Sequence, residues 1–501
     1  MAARAARGML ARRPSAYHAP TMRIAMVASE CEPWAKTGGL ADVVDALSRA
    51  LGPAAQGGLG HEVDVYLPMY RGLVPPAGSV PLELDVPVGS RDGHERREQV
   101  TLWTGPADGY RLRLVEHGPS FDRDSFYMDG AHDYADNAAR FTLLGRAVLE
   151  AIRLEGRPVD VIHGHDWQAS PGLLALRHRY AQDPLLAGTA TMLTCHNLAY
   201  HGWTPREQAW QLDLPGEVGV PDGVDLLREA VRTADLVNTV SPNYARESLT
   251  PEYGAGLDDL LRARGDDYIG IINGIDTTLW DPATDAALAA AYDASDVTPK
   301  AKTRALLAAR HGLDPDGPLI GVIGRLDPQK GFDLVAEATP SLVSMGVRLI
   351  VLGTGDEGLV AGLVEQSRQR PDRIAVLERF DRDEARRIYA GADLFLMPSR
   401  FEPCGQGQLI AMRYGTPPVV RLSGGLADTV LDADEDPENG DGFVFGPATA
   451  AALTDAVARA ITAMSDPTRF RRIQAQGMSR DHSWREPAKA YEAAYRRIVR
   501  A

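Results

Sequence analysis

Two positively charged side chains, Arg325 and Lys330, stand five residues apart in segment 324–331, which begins and ends with glycine. The segment follows an apolar run and precedes a helical pattern, which predicts a strand-to-helix turn. An arginine offers a forked donor and a lysine a mobile point charge, and together they suit a diphosphate. For this segment taken alone, an exposed loop with ordinary salt bridges is the alternative.

A carboxylate, Glu402, follows another apolar run, within segment 397–408. A carboxylate at the mouth of a strand can accept hydrogen bonds from sugar hydroxyls. Gly405 and Gly407, just beyond it, leave backbone N–H groups open to a phosphate. The segment is therefore a candidate turn for binding both sugar and phosphate.

Polar residues also follow apolar runs in the first half of the chain. They occupy four short segments, 163–168, 195–197, 241–243 and 273–274. Ligands of open α/β sheets bind at the carboxyl ends of the strands. A single histidine there is more often structural, but several side by side favour a polar site.

One turn occurs twice in the chain: segment 36–44, KTGGLADVV, returns as SGGLADTV at 423–430. Each copy follows a β-branched apolar run and precedes a helical pattern. The adjacent Gly38 and Gly39 let backbone approach a ligand, and the start of a helix favours an anion. Only the first copy carries a lysine, Lys36, so we predict that this copy binds the anion directly.

Apolar runs that alternate with helical patterns must position these residues, and this βαβ rhythm predicts mostly parallel sheets. The runs lie at 24–28, 63–67, 159–163, 190–194, 236–240, 319–323, 348–352, 374–377, 394–397 and 418–422. The rhythm stops near residue 270 and restarts at 319. We therefore predict an α/β chain of two doubly wound, Rossmann-like domains, residues 22–270 and 271–480, that face a central cleft. Residues 481–501 should form a helix that docks back.

The composition is that of a globular enzyme, with no apolar run long enough to cross a bilayer. A net charge of -15 argues against nucleic acid as the main partner. Three scattered cysteines fit neither a disulfide framework nor a zinc cluster and favour a reducing cytoplasm. Residues 1–21, rich in arginine and free of acidic residues, are expected to be a disordered tail or a start assigned too early.

Two further motifs point to other chemistry. Segment 353–358 matches G-x-G-x-x-G and has Glu378 at the distance of a ribose-binding acid, as in dinucleotide-binding enzymes. However, Asp356 and Glu357 would repel a pyrophosphate. The acidic run 432–436 resembles a calcium loop, but Pro437 takes the position that needs glycine. We expect that run to be a solvated acidic loop.

Taken together, the motifs resemble those of the bacterial glycogen synthases and plant starch synthases, which are retaining glucosyltransferases with the two-domain GT-B fold. The resemblance runs from about Met22 to the C-terminus. It rests on segments 36–40, 165–167, 196–200, 273–276, 325–331 and 398–405 in this order.

The resemblance implies roles for individual residues. His165 would contact the transferred glucose near the reacting carbon, and Glu402 would hold its hydroxyls. Arg325 and Lys330 would neutralise the nucleoside diphosphate as it leaves. The substrate-binding residues that it implies are Lys36, Gly38, Gly39, Asn273, Cys404 and Gly405, with Asp42 and Asp136 lining the cleft.

Two positions separate this chain from relatives. Ile410 stands where other retaining transferases carry a second glutamate, which favours the synthases over the broader group. The family usually has Leu-Thr-Gln after Pro-Cys-Gly, and this chain has Gln406-Gly407-Gln408. The lost threonine hydroxyl removes one candidate contact, while the backbone donors remain.

The resemblance implies transfer of glucose from ADP-glucose, with UDP-glucose as the alternative donor, to an α-1,4-glucan. No cofactor, metal, nucleic acid or membrane partner is implied. Two other classes stay open from the residues themselves. They are a nicotinamide oxidoreductase that uses segment 353–358 and a glucan-binding protein without catalysis.

Overall fold

The computed structural model describes residues 20–91, 94–130, 132–216 and 218–499. It contains a nine-stranded sheet, a six-stranded sheet and two pairs of very short strands. The predicted tail lies outside the described residues except for Pro20 and Thr21. Within the part of the chain that is described, each helix is too short or too polar to span a bilayer.

The strands are β1 Arg23–Val27, β2 Glu62–Pro68, β3 Val80–Arg91, β4 His94–Pro106, β5 Arg111–Glu116, β6 Met128–Asp129, β7 His132–Asp133, β8 Val161–His165, β9 Ala190–Cys195, β10 Trp203–Pro205, β11 Gly223–Asp225, β12 Leu236–Thr239, β13 Tyr268–Gly270, β14 Leu319–Ile323, β15 Arg348–Leu352, β16 Ile374–Leu377, β17 Leu394–Met397, β18 Pro418–Arg421 and β19 Phe443–Phe445. The α-helices are α1 Gly39–Leu51, α2 Gly118–Phe121, α3 Asn137–Glu155, α4 Asp166–His178, α5 Leu226–Thr233, α6 Pro242–Glu247, α7 Asp258–Arg264, α8 Lys300–Arg310, α9 Phe332–Ser344, α10 Glu357–Gln369, α11 Arg382–Gly391, α12 Gly407–Arg413, α13 Gly424–Thr429, α14 Ala450–Met464, α15 Pro467–Ser479 and α16 Arg485–Ile498. Short 3-10 helices cover Ala54–Gln56, Arg206–Leu212 and Gly265–Asp267.

The larger sheet has the order β13-β12-β9-β8-β1-β2-β5-β4-β3. Neighbours from β13 to β5 are parallel, whereas β4 and β3 extend the sheet as an antiparallel edge. The strand order reverses between β1 and β8. In open α/β sheets such a reversal leaves a crevice for ligands at the strands' carboxyl ends.

The smaller sheet is parallel throughout, with the order β16-β15-β14-β17-β18-β19. Its order reverses between β14 and β17. The turns after these two strands carry Arg325 with Lys330 and Glu402, respectively. The topology therefore brings the two candidate turns of this half to one crevice.

Central strands such as β1 and β14 are apolar on both faces, because helices cover both sides of a parallel sheet. The last helix, α16, packs into the core of the first half through Tyr491 and Tyr495. The chain thus crosses between the halves twice. The two crossings touch, since Ile275 N donates to His482 O at 2.8 Å.

The predicted fold class, two doubly wound domains that face a cleft, is confirmed. Several strands differ from the predicted runs by one or two residues at an end, and one difference concerns the site: the prediction ended a strand at His163, whereas β8 continues through His165. His163 and His165 are buried strand residues, not loop residues. Hydrogen bonds to Thr194 and Tyr495 satisfy both ring nitrogens of His163, and His196 partners one nitrogen of His165, so the polar side chains do not end the strand.

The G-x-G-x-x-G segment closes a turn against the protein itself. A Cβ atom on Gly353 would lie 1.8 Å from Gly324 O, and one on Gly355 would lie 2.2 Å from Leu326 O. The Asp356 carboxylate accepts from Leu359 N at 2.9 Å and so caps α10 where a pyrophosphate would bind. These glycines are explained by packing, which argues against the dinucleotide interpretation.

The acidic run after β18 is only in part the solvated loop that we expected, because Asp434 and Glu435 are exposed but Asp432 is not. Asp432 is buried and accepts from Val444 N at 2.7 Å, and its carboxylate also pairs with Arg459. Asp434 pairs with Arg459 at 2.5 Å and with Arg469. Arg459 and Arg469, from two later helices, therefore pair with Asp432 and Asp434, which a local sequence pattern cannot show.

Candidate active site

A cleft of about 740 Å³ lies between the two halves of the chain. Residues at the carboxyl ends of both sheets line it, so both crevices open into one space. Among the sequence-predicted residues, its wall contains Lys36, Gly38, Gly39, Asp42, Asn273, Arg325, Lys330, Glu402, Cys404 and Gly405. His165 and Asp136 are not part of this wall.

A partly buried ion pair joins the two candidate turns of the second half. Lys330 Nζ lies 2.6 Å from Glu402 Oε2, and Ser399 Oγ donates to the same oxygen at 3.0 Å. Glu402 is only 4% exposed. Because lysine and serine fix the carboxylate, it presents a defined edge to the cleft.

Arg325 stands beside this pair but has different partners. Its Nε donates to Asp327 Oδ2, and its NH2 group donates to Gln329 Oε1 at 3.2 Å. The side chain is half exposed. Within the described residues, the two cations therefore share a cleft but not a carboxylate.

Cys404 and Gly405 form the turn before α12. Burial raises the pKa of the Cys404 thiol to about 12, so it stays protonated at neutral pH. Gly405 has a φ of 75°, a backbone conformation that favours glycine. This turn offers backbone and a neutral thiol to the cleft.

Asn273 follows β13 and belongs to the cleft wall. Its amide oxygen is buried and has no hydrogen-bond partner among the described residues. A buried acceptor without a partner is costly. A ligand hydroxyl or N–H group in the cleft would satisfy it.

The first glycine turn is already occupied by carboxylates of the protein. Lys36 Nζ lies 2.5 Å from Asp42 Oδ1 and 3.4 Å from Glu32 Oε2. The Glu30 carboxylate accepts from Thr37 N at 2.5 Å and from Gly38 N at 3.0 Å. An incoming anion would therefore compete with Glu30 for the backbone donors.

The two copies of the glycine turn serve different purposes. A Cβ on Gly38 or Gly39 would meet no atom within 4 Å, whereas one on Gly424 would lie 1.9 Å from Glu402 O. Packing requires glycine only in the second copy, which supports the Glu402 turn. In the first copy, the space beside the glycines is open to a ligand.

His165 lies behind the cleft wall and is fully buried. Its Nδ1 lies 3.0 Å from Nε2 of His196, which does line the cleft, and its Nε2 has no partner among the described residues. Burial, and then the neighbouring His163 and His196, hold the pKa of His165 well below its usual value. The rings of His165 and His196 are therefore both neutral at pH 7.

Asp166 begins α4 with a φ of 56°, which is unusual for a residue with a side chain. Its Oδ1 accepts from His196 N at 2.6 Å and so orients the histidine on the wall. Burial raises the pKa of this carboxyl to about 7. The perturbed carboxyl marks the strand-end cluster as a functional candidate.

The buried histidines should make the protein less stable in acid. Burial lowers the pKa of His163 and of His196 to about 3, so each stays neutral when folded but binds a proton when unfolded below pH 6.5. Their contribution to the free energy of unfolding is complete above pH 6.5 and is lost as the pH falls toward 3. Asp166 opposes this trend between pH 7 and 3.8, but three buried histidines outweigh one carboxyl.

We therefore expect the melting temperature in calorimetry to fall steadily from pH 6.5 to 4.5. Each histidine contributes a slope of up to ~1.4 kcal/mol per pH unit. His163→Gln should flatten the decline, and the exposed-site control His94→Gln should not. If the melting temperature fell equally steeply with pH in the wild type and both variants, His163 would not be buried in its neutral form.

Asp136 lies outside the cleft wall, whereas several residues without a predicted role belong to it. Asp136 directly precedes α3 and pairs with Arg123, with Oδ1 2.7 Å from its NH1 group. The sequence analysis assigned no individual role to Glu30, Ser399 or His196, although all three lie at strand ends inside or beside the quoted motifs. Phe380 was also missed because it lies in no motif.

Comparison with known proteins agrees with this geometry. A family described as "Starch synthase catalytic domain" matches residues 23–263, and one described as "Glycosyl transferases group 1" matches residues 317–463. A glycogen synthase of Anaeromyxobacter dehalogenans is 44% identical over 490 residues, covering 95% of this chain and 99% of the relative. Glycogen synthase 2 of Geobacter sulfurreducens is 42% identical over 487 residues, with 95% and 98% coverage.

Solved structures extend the similarity to three dimensions. The catalytic domain of starch synthase IV from Arabidopsis thaliana, bound to ADP and acarbose, superposes with a TM-score of 0.86 at 33% identity. It covers 96% of this chain and 100% of that one. A sucrose-phosphate synthase from Thermosynechococcus elongatus shares the fold, with a TM-score of 0.59 at 20% identity and coverage of 95% and 98%. The chain belongs to the glycogen and starch synthase family of GT-B glycosyltransferases.

Proposed function

We propose that this protein is a glycogen synthase that transfers glucose from ADP-glucose to the 4-hydroxyl at the non-reducing end of an α-1,4-glucan, with retention of configuration. The observation that carries the proposal is the meeting of Lys330 and Glu402 at the crevice of the second sheet. A cation for phosphate and a carboxylate for sugar hydroxyls stand 2.6 Å apart there. Such a pair suits the bond between a sugar and a diphosphate.

Arg325 and Lys330 would bind the donor diphosphate and stabilise its growing charge as the bond breaks. The first helix turn would add Lys36 and the Gly38 and Gly39 backbone. Phe380, which is 81% exposed on the cleft wall, offers an aromatic face to a nucleobase. The preference for adenine is part of the proposal.

The sugar would lie between Glu402 and the histidine pair. Glu402 would accept hydrogen bonds from glucose hydroxyls, beside Cys404 and Gly405, and Asn273 Oδ1 would accept another. His196 forms the wall here, so His165 stays in the site as the group that positions His196. Asp42, beside Lys36, would complete the donor side of the cleft, and Asp136 would contribute from the acceptor side.

The geometry favours a front-face transfer in which the leaving diphosphate takes the acceptor proton. A covalent route needs an activated nucleophile beside the anomeric carbon. Cys404 stays a protonated thiol, and Glu402 already accepts hydrogen bonds from Lys330 and Ser399. The bond from the donor oxygen to glucose breaks while the bond from the glucan 4-oxygen forms on the same face, which retains the configuration.

The test is a transfer assay with glycogen and either ADP-glucose or UDP-glucose. We expect nucleoside diphosphate release matched by glucan growth, faster with ADP-glucose, and new linkages that an α-1,4-specific amylase removes. Glycogen binding without release would favour the non-catalytic alternative. Nicotinamide oxidation or reduction without transfer would favour the oxidoreductase.

A further inference from the structure

Three aromatic side chains among the described residues are more than half exposed. Phe380 is 81% exposed, Tyr200 56% and Trp203 52%. Phe380 and Tyr200 belong to the cleft wall, whereas Trp203 stands outside it on β10. The donor and acceptor contacts assigned above therefore leave Trp203 without a role.

The Trp203 ring rests on the backbone of the neighbouring strand, β11. A Cβ on Gly223 would lie 2.7 Å from Trp203 Cζ2, so the absence of a side chain there lets the indole lie close to the strand. The two strands are antiparallel, with Trp203 opposite Asp225. The strand thus supports part of the ring, and about half of the Trp203 surface stays open.

The segment that carries the ring is firmly held. His201 Nδ1 lies 2.6 Å from Asp225 Oδ2, and Leu227 N donates to His201 O at 2.9 Å. Gly202, between His201 and Trp203 in the chain, packs on Trp167, which is a residue of the cleft wall. A Cβ on Gly202 would lie 2.2 Å from Cε3 of Trp167. The indole is therefore presented on a rigid support that is continuous with the cleft.

We propose that Trp203 is an outlying subsite for the glucan acceptor, an inference that rests on the proposed function. A chain whose non-reducing end enters the cleft must leave it as a series of sugar rings. Trp203 is three residues from Tyr200 on the wall, so their Cα atoms lie at most about 10 Å apart, within the length of a few sugar units. An open indole face packs against the apolar C–H face of a pyranose ring.

With this subsite, the strength of acceptor binding depends on the length of the glucan. A long glucan reaches both the cleft and Trp203, whereas a disaccharide occupies the cleft alone. Linking the two contacts in one chain strengthens binding without changing the reaction centre. Trp203 therefore sets the preference for long acceptors and leaves the chemical step unaffected.

The experiment compares glycogen, maltoheptaose and maltose as acceptors for the wild type, Trp203→Ala and Trp203→Phe. We expect Trp203→Ala to lower kcat/KM for the two long acceptors about three- to tenfold, through KM, and to leave maltose unchanged. Trp203→Phe should restore most of the loss. Leu154→Ala, which removes an exposed apolar side chain of the same domain, is the matched control.

Electrophoresis through glycogen-containing gels measures glucan binding independently of turnover. Reduced retardation of Trp203→Ala, but not of Leu154→Ala, is expected. If Trp203→Ala does not fold, Trp203→Thr keeps a strand-forming residue without a ring. Equal losses for long and short acceptors, or unchanged retardation, would overturn the subsite, whereas a wild-type protein that transfers no glucose would overturn the proposed function.

Discussion

Removing either Lys330 or Arg325 should lower turnover by about a hundredfold while KM for the nucleotide sugar changes much less. If these cations stabilise charge that grows as the glycosidic bond breaks, their contribution is larger in the transition state than in the bound ground state. Losing one such contact in a cleft that excludes water costs roughly 3 kcal/mol. Steady-state kinetics on Lys330→Ala and Arg325→Ala measure the effect.

The double variant separates two explanations. If both residues act on one diphosphate, their combined loss should fall short of the summed single losses. Lys302→Ala, an exposed lysine on α8, controls for the loss of one positive charge, and circular dichroism checks folding. Wild-type turnover in both single variants would leave an ordinary salt-bridged loop as the explanation for segment 324–331.

Glu402→Gln should also reduce turnover by about a hundredfold, with a melting temperature close to that of the wild type. The amide oxygen can still accept from Lys330 Nζ and Ser399 Oγ, so the shape of the site is kept. What disappears is the negative charge that faces the sugar and strengthens each hydrogen bond to its hydroxyls. Turnover and calorimetry on the same preparation give both quantities.

Glu378→Gln is the matched control for this substitution. Glu378 is an exposed carboxylate of the same domain, and it is the residue that the dinucleotide interpretation would use. We expect its replacement to leave glucose transfer unchanged. Near-normal turnover of Glu402→Gln would make Glu402 a structural partner of Lys330, and a large loss in Glu378→Gln would reopen the role of segment 353–358.

Local patterns located the parallel strands well. The predicted runs at β14, β15, β16 and β17 have the bounds of the strands themselves, because a strand covered on both faces is a continuous apolar run. The motifs between the runs also led to the family, which the comparisons confirm.

The sequence analysis did not predict the antiparallel edge, β3 and β4, because these strands are not continuous apolar runs. β3 and β4 pair from Val80 with Thr104 to Arg91 with His94, and the end near His94 is exposed, so no buried run marks them. Asp92-Gly93 between them is a dipeptide that favours tight hairpins, and it was the available signal. Alternation on a half-exposed strand is weaker evidence than a buried run.

The sequence by itself determined which chemical groups the cleft contains, because residue type and position at a strand end are local properties. Only the tertiary structure decided how those groups are partnered. Lys330 meets Glu402 across 72 positions of the chain, Glu30 takes the amides of the first glycine turn, and His196 rather than His165 faces the cleft. A carboxylate can pair with any cation or N–H group within reach, and the order and register of the strands determine which of them lies within 3 Å.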